Sequence, residues 1–84
     1  MKVRFFGSSN CRDCLELLVI LEKFSIEFEY IDAFNDDTQD LCDEQEVEEL
    51  PHTQFLDNNK NIVIEHLGPI SEKEFEEILS IHFS

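Results

Sequence analysis

Basic residues, glycine, proline and long apolar runs are scarce in this 84-residue sequence, and tryptophan is absent. Only 6 Lys and Arg stand against 20 Asp and Glu, and the net charge of −14 repels phosphate groups. We therefore expect neither nucleic acid nor anionic membrane surfaces as partners. No apolar run approaches the ~20 residues that span a bilayer, and the first residues lack the apolar segment of a signal peptide. These absences favour a cytoplasmic protein that is not cleaved.

Cysteine occurs three times, which is an odd number. Three cysteines cannot all pair within one chain, which argues against a secreted disulfide scaffold. A chain of this length buries only a little over ~60% of its unfolded surface, so we expect one domain, residues 1–84, without room for a large cofactor. Eight Phe and an apolar content of 42% indicate that this domain folds despite its charge. We expect it to be a monomer.

The hydrophobic pattern predicts an α/β domain with the order βαβ, α, ββα. Polar residues 57–60 have the composition of a hairpin turn, so the last two strands should pair antiparallel. Asn10 is the predicted cap of the first helix. Ser71 and Glu74 form a capping box at the start of the last helix, whose apolar stripe runs from Phe75 to His82. The predicted strands cover residues 2–7, 27–32, 53–56 and 61–65, and the predicted helices cover 11–24, 38–45 and a segment that opens at 71.

Cys11-Arg12-Asp13-Cys14 lies where the first predicted strand and loop meet the first helix. Residues three apart are neighbours in a helical turn, so the two sulfurs are close enough to bond. The partial positive charge of a helix N-terminus stabilises a thiolate at Cys11, which makes Cys11 the attacking sulfur. Cys14 lies on the apolar stripe and is placed to resolve a mixed disulfide. The pair predicts a redox-active dithiol.

A Cys-x-x-Cys pair is also half of a zinc site. The missing ligands would be His52 and His66, but their separation from the pair and from each other fits no compact zinc finger. We therefore predict no metal and no cofactor, and we keep a metal or iron-sulfur carrier as the less favoured hypothesis.

The whole chain resembles the thioredoxin and glutaredoxin superfamily. The cysteine pair falls where that superfamily has its active-site motif, and residues 40–51 are similar to its second helix running into a cis-proline, here Pro51. Residues 53–65 resemble the hairpin that follows, and Gly68 with the helix from Ser71 matches the glycine and the final helix. The resemblance implies a four-stranded mixed sheet with helices on both faces.

The same resemblance implies a site and an activity. The cis peptide before Pro51 would face Cys11, and the backbone of Leu50 would pair with an extended segment of the bound protein. Arg12, Asp13 and Gly68 would complete the substrate-binding surface. The implied activity is thiol-disulfide oxidoreduction of protein disulfides, with a reductase protein as electron donor. A non-catalytic module that binds a protein partner through the Pro51 face is the alternative.

The chain departs from the superfamily at several positions. Thioredoxins usually have Gly-Pro inside the motif, and they keep a buried aspartate where this chain has Phe5. The lysine and the Gly-Gly-x-Asp stretch that hold glutathione in glutaredoxins are replaced by residues 7–10 and 67–71, so no glutathione site is evident. The opposite charges of Arg12 and Asp13 nearly cancel, and we expect the pKa of Cys11 to lie only modestly below about 8.5, as in a reducing couple.

Two further features concern the middle of the chain. Cys42 lies beside Leu41 on the second predicted helix, where a free cysteine packs as a small apolar residue, although a regulatory disulfide is the alternative. Eleven acidic and no basic residues occur between Glu27 and Glu49. This acidic segment predicts a solvated face or, as the sharper hypothesis, a surface that steers basic partners to the dithiol.

Overall fold

The computed structural model describes residues 1–83 and contains one mixed four-stranded sheet in the order β2-β1-β3-β4. Strand β1 pairs parallel with β2 and antiparallel with β3, and β3 pairs antiparallel with β4. The predicted α/β architecture and the predicted hairpin are both confirmed. The strands are β1 (Lys2–Gly7), β2 (Phe28–Asp32), β3 (His52–Leu56) and β4 (Ile62–Leu67), and the helices are α1 (Arg12–Lys23), a 3-10 turn (Asp36–Thr38), α2 (Gln39–Glu44) and α3 (Glu72–His82).

Side chains alternate along β1 and build a core on each face of the sheet. Val3 and Phe5 face α1 and α3, and they belong to a core whose buried members include Leu17 and Phe75. Phe6 points to the opposite face, where α2 covers it. Helices therefore lie on both faces, as predicted. The buried residues of the first core are Val3, Phe5, Cys14, Leu17, Leu21, Phe55, Ile70 and Phe75, and those of the second are Phe6, Ile31 and Cys42.

The start of the second helical region differs from the prediction. The predicted helix over residues 38–45 begins earlier, as a 3-10 turn, and its α-helical part spans only six residues. Asn35 causes this early start, because its Oδ1 accepts a hydrogen bond from the backbone N–H of Asp37 (2.8 Å). The Thr38 hydroxyl donates to the carbonyl of Asn35 (2.9 Å) instead of capping α2.

The last helix begins as predicted, with the Ser71 Oγ accepting from the backbone N–H of Glu74 (3.1 Å). The prediction that His82 ends the buried stripe is wrong, because His82 is exposed. Ile81 is 74% exposed as well, and the ring of Phe83 packs against Phe55 in their place. Ile81 and His82 thus lie on the solvent side of the last turn of α3, and Phe83 lies against the core. Within residues 1–83, no helix combines the length and apolarity required to cross a bilayer.

Candidate active site

Cys11 and Cys14 are joined by a disulfide at the start of α1, with their Cα atoms 5.2 Å apart. This separation lies in the ordinary range for bonded cysteines, so the helical turn accommodates the bond. Cys14 is 1% exposed, whereas Cys11 is only half-buried. The dithiol therefore presents one reachable sulfur and one shielded sulfur.

The cap of α1 is Cys11 itself, and the prediction that Asn10 caps this helix is wrong. The Cys11 Sγ accepts a hydrogen bond from the backbone N–H of Cys14 (3.2 Å), which is the contact that a capping oxygen usually makes. In the reduced protein the same N–H and the helix dipole would stabilise a Cys11 thiolate. The cap contact thus places the reachable sulfur at the positive end of the helix.

Gly7, the last residue of β1, allows the disulfide to approach the backbone of the strand closely. A Cβ added at Gly7 would lie 2.8 Å from the Cys14 Sγ and 3.2 Å from the Tyr30 Cε1. No side chain fits there, because real Cβ atoms do not approach other atoms that closely. The buried sulfur therefore rests directly on the backbone of β1.

Tyr30 is a neighbour of the site that the sequence analysis did not single out. It pairs with Phe5 in the parallel register of β1 and β2, and the two ring centroids are 5.1 Å apart. Burial and, after it, the charge of Asp32 raise the pKa of Tyr30 above its ordinary value of 10. The phenol is therefore uncharged at neutral pH. The register of a parallel pair was the missing signal, because no local pattern in the sequence carries it.

The predicted substrate-binding residues of the later chain meet at the same end of the sheet. The Leu50-Pro51 peptide bond is cis, and Pro51 is fully buried. Strand β3 begins opposite Phe6, so Pro51 is the neighbour of Gly7 at the end of β1. Gly68 follows β4 with φ +82° and donates its N–H to the Pro51 carbonyl (2.9 Å). Leu50, Pro51 and Gly68 thus lie at the end of the sheet where Gly7 contacts the Cys14 sulfur.

Arg12 and Asp13 lie in the first turn of α1 but contribute differently. The Arg12 side chain is 91% exposed, and its Nε lies 3.5 Å from the Glu16 Oε1. Asp13 is half-buried. Sequence reasoning weighed Arg12 against Asp13 and missed Glu16, although the i, i+4 spacing could have revealed it. The first two turns of α1 therefore carry two acidic side chains, Asp13 and Glu16, against the one basic side chain of Arg12.

A cavity of about 250 Å³ adjoins Leu50 on the face that α2 covers. Phe34, Val47 and Glu48 are among its lining residues, and Phe34 is 74% exposed. Cys42 also lines it and is only 6% exposed, packed with the second core as predicted. The cavity opens next to the residue whose backbone would bind a substrate segment.

His52 and His66, the additional ligands of the metal hypothesis, lie on opposite faces of the sheet. His52 is paired in register with Phe6 and contacts the Glu65 carboxylate, whereas His66 is paired with Thr53. Among residues 1–83, no three His, Cys, Asp or Glu side chains are grouped as a metal site. The two histidines therefore do not converge on the cysteine pair.

Compared by sequence, the chain matches no protein-family model and no curated protein. In three dimensions it is similar to thioredoxin O2 from Arabidopsis thaliana in its oxidized state, with a TM-score of 0.83, 14% identity, and coverage of 99% of this chain and 75% of that one. It is also similar to thioredoxin 1 from Thermosipho africanus, with a TM-score of 0.70, 21% identity and full coverage of both chains. The chain has the thioredoxin fold. The fold that the resemblance implied is thus confirmed.

Within the thioredoxin fold, the Cys-x-x-Cys spacing and the disulfide at the start of α1 fit a thiol oxidoreductase. The interior beside the pair is apolar at Phe5, which is 0% exposed and packs against the rings of Tyr30 and Phe28. The position at which the sequence comparison looked for a buried aspartate is thus filled by an aromatic ring.

Proposed function

We propose that this protein is a thiol-disulfide oxidoreductase that reduces protein disulfides through Cys11 and Cys14. The observation that carries the proposal is the asymmetry of the pair: two sulfurs bonded across one helical turn, one reachable and capped by an N–H group, the other buried. Disulfide exchange needs this division between an attacking and a resolving thiol.

In the reduced protein, the Cys11 thiolate attacks one sulfur of a substrate disulfide, and the other substrate sulfur leaves as a thiolate. Cys14 then loses its proton and attacks the Cys11 sulfur of the mixed disulfide. The second substrate thiolate leaves, and the Cys11-Cys14 disulfide forms. Two electrons pass to the substrate, and a reductase protein returns two electrons to the pair.

Substrate binding relies on the edge formed by Leu50, Pro51 and Gly68. An extended segment pairs with the backbone of Leu50 by strand addition, and the cavity beside Leu50 receives one of its apolar side chains. The acidic segment from Glu27 to Glu49 favours a basic partner and repels anionic glutathione. A protein reductase in a reducing compartment is therefore the donor that we propose.

Reduction of insulin disulfides by dithiothreitol, with the protein as catalyst, tests the proposal. We expect Cys11→Ser to abolish the catalysed rate and Cys14→Ser to accumulate a mixed disulfide, visible as a mass adduct. Cys42→Ala is the matched control, because Cys42 packs in the second core away from the pair, and it should keep the wild-type rate. Equal background rates in wild type and Cys11→Ser would instead identify a binding module.

A further inference from the structure

A glutamine side chain is buried on the face of the sheet that α2 covers. Gln54 lies in the middle of β3 and is 0% exposed. Buried amide groups in folded proteins are hydrogen-bonded, because an unpaired one loses its bonds to water without replacement. The Gln54 Oε1 accepts a hydrogen bond from the Arg4 Nε (2.8 Å), and the Gln54 Nε2 donates to the Gln45 Oε1 (2.9 Å). Both ends of this amide are therefore used.

Arg4 fixes the direction of this series of hydrogen bonds. A guanidinium group only donates, so the carbonyl oxygen of Gln54 faces Arg4 and the NH2 group of Gln54 faces Gln45. Arg4 and Gln54 are paired in the register of β1 and β3, and the Arg4 guanidinium lies 5.9 Å from the centre of the Phe6 ring. Phe6 belongs to the second core. The series thus starts in the middle of the sheet and ends at Gln45.

Gln45 is the residue at which α2 ends. The next two residues close a Schellman turn, in which Glu46 has φ +55° and the Val47 N–H donates to the Cys42 carbonyl (2.9 Å). Such a turn stops a helix and redirects the chain. The contact between Gln45 and Gln54 therefore holds the point at which the chain leaves α2.

The segment that connects α2 to β3, called the connecting segment, comprises residues 46–50 and is closed into a loop by this contact. At one end Gln45 is bonded to Gln54, and at the other end the chain continues through Pro51 into the same strand. Leu50, whose backbone would bind the substrate, is the last residue of the connecting segment. A loop that is fixed at both ends has fewer conformations, so less conformational entropy is lost when a partner orders it.

Apolar packing beneath α2 is limited. The second core has three buried residues, Phe6, Ile31 and Cys42, and α2 has six residues. Apolar contacts of this extent fix α2 less firmly than the larger core fixes α1 and α3. A buried hydrogen bond with one allowed direction adds a constraint that this packing lacks.

We propose that Gln54, acting through Gln45, is a positioning residue that holds the connecting segment where the backbone of Leu50 pairs with an extended substrate. This inference rests on the proposed function, because it requires that Leu50 binds the substrate with which Cys11 reacts. The Gln45-Gln54 bond does not touch the disulfide, which lies at the start of α1 on the other face of the sheet. Loss of this bond should therefore slow the reaction with peptides and leave the reactivity of Cys11 itself unchanged.

Two thiopyridyl disulfides separate substrate binding from sulfur reactivity. One is a short, capped peptide with a single central cysteine, and the other is the thiopyridyl derivative of mercaptoethanol, which has no peptide backbone. In both reactions the Cys11 thiolate attacks the sulfur of the probe, a mixed disulfide forms, the bond to the thiopyridyl sulfur breaks, and thiopyridone leaves with a proton from solvent. Stopped-flow absorbance measures the second-order rate in a Cys42→Ala background, so that only the pair reacts.

We expect Gln45→Met to slow the peptide reaction about tenfold, as for a binding segment displaced by a fraction of an ångström. Methionine has a similar length but lacks the amide oxygen, and Gln45 is only half-buried, so the variant is compatible with folding. The mercaptoethanol probe should react at the wild-type rate. Gln54→Leu should give the same pattern, whereas Gln45→Glu keeps an acceptor oxygen and should retain the wild-type ratio of the two rates.

Ser71→Ala is the matched control, since it also removes one hydrogen bond of an uncharged side chain at a helix end, here the start of α3. Both of its rates should stay at the wild-type value. Wild-type peptide rates in Gln45→Met and Gln54→Leu, equal losses with both probes, or a wild type without preference for the peptide would overturn the proposal. A wild type that reacts with neither probe faster than Cys11→Ser does would instead contradict the proposed function itself.

Discussion

The two faces of the sheet are built differently. The face that carries the cysteine pair, called the dithiol face, has a continuous core that is covered by α1 with 12 residues and α3 with 11 residues. The opposite face has a small core that is covered by the six-residue helix α2, and a cavity lies beside it. The first arrangement holds the disulfide in one position. The second leaves space and negative charge next to Leu50, where the proposed substrate segment would bind. Close packing around the Cys14 sulfur and open space beside Leu50 are thus features of separate faces.

The largest expected effect concerns the core of the dithiol face. Phe75 is fully buried and lies 5.5 Å from the Phe24 ring centroid and 5.6 Å from that of Phe55. Phe75→Ala should cost about 3–5 kcal/mol of unfolding free energy, whereas Leu41→Ala, half-buried on α2, should cost about 1 kcal/mol. Urea denaturation measures both. Equal losses of unfolding free energy in the two variants would contradict a difference in packing between the faces.

Gly7→Ala tests whether the close contact between the β1 backbone and the Cys14 sulfur requires glycine. The added methyl group would lie 2.8 Å from the Cys14 Sγ, so α1 must shift, and we expect a loss of about 1–3 kcal/mol. Gly68→Ala is the comparison, because there the added atom meets only the movable end of Glu49 and the cost of about 1 kcal/mol comes from the positive φ. Thermal unfolding of both variants with the disulfide intact would show the order, and a more costly Gly68 change would refute this account.

The negative charge on the α2 side should have a smaller effect, and this effect concerns the rate at which the protein meets its partners. If the acidic segment steers basic partners, the rate with a basic disulfide protein should fall several-fold as salt rises from low to physiological concentration. Glu48→Lys, beside the cavity, should slow that rate further than Glu77→Lys on α3. A rate that is flat with ionic strength, or equal in the two variants, would leave the segment only a solvated surface.

The smallest expected effect is a change in folding stability at acidic pH. Hydrogen bonds from His66 and Ser71 lower the pKa of Glu74 below its ordinary value of 4.5 in the folded protein. A lowered folded pKa stabilises the fold above the unfolded pKa, and this stabilisation disappears as pH falls through the folded value. Glu74→Gln should therefore flatten the stability curve below about pH 4.5 more than Glu77→Gln does. Identical acid-denaturation curves would contradict this link between α3 and β4.

The features that local patterns determine were predictable from the sequence. The bounds of β1 follow from its aromatic and β-branched run, and Ser71 caps α3 through a contact between near neighbours in the chain. The cysteine pair and the proline at position 51 depend on short motifs in the same way. The sequence alone thus predicted the fold class and identified both cysteines of the pair.

The features that it missed depend on register or on competition between local contacts. Tyr30 lies beside Gly7 only because β1 and β2 pair in one register, and Thr53 is paired with His66 only through the β3-β4 register. Cys11 replaces Asn10 as the helix cap because its own sulfur already reaches the Cys14 N–H. A one-residue shift in either pairing would move these side chains to the other face, and no single segment encodes that choice.

Because the Cys14 sulfur lies on the bare backbone at Gly7, the gap between strand and helix at this point has the width of one sulfur atom. An oxygen in its place would be too small to fill the gap, and a methyl group on the strand would be too large for it. The residue that is proposed to exchange electrons also sets how closely α1 approaches the sheet. Chemistry and architecture would therefore change together at this one position.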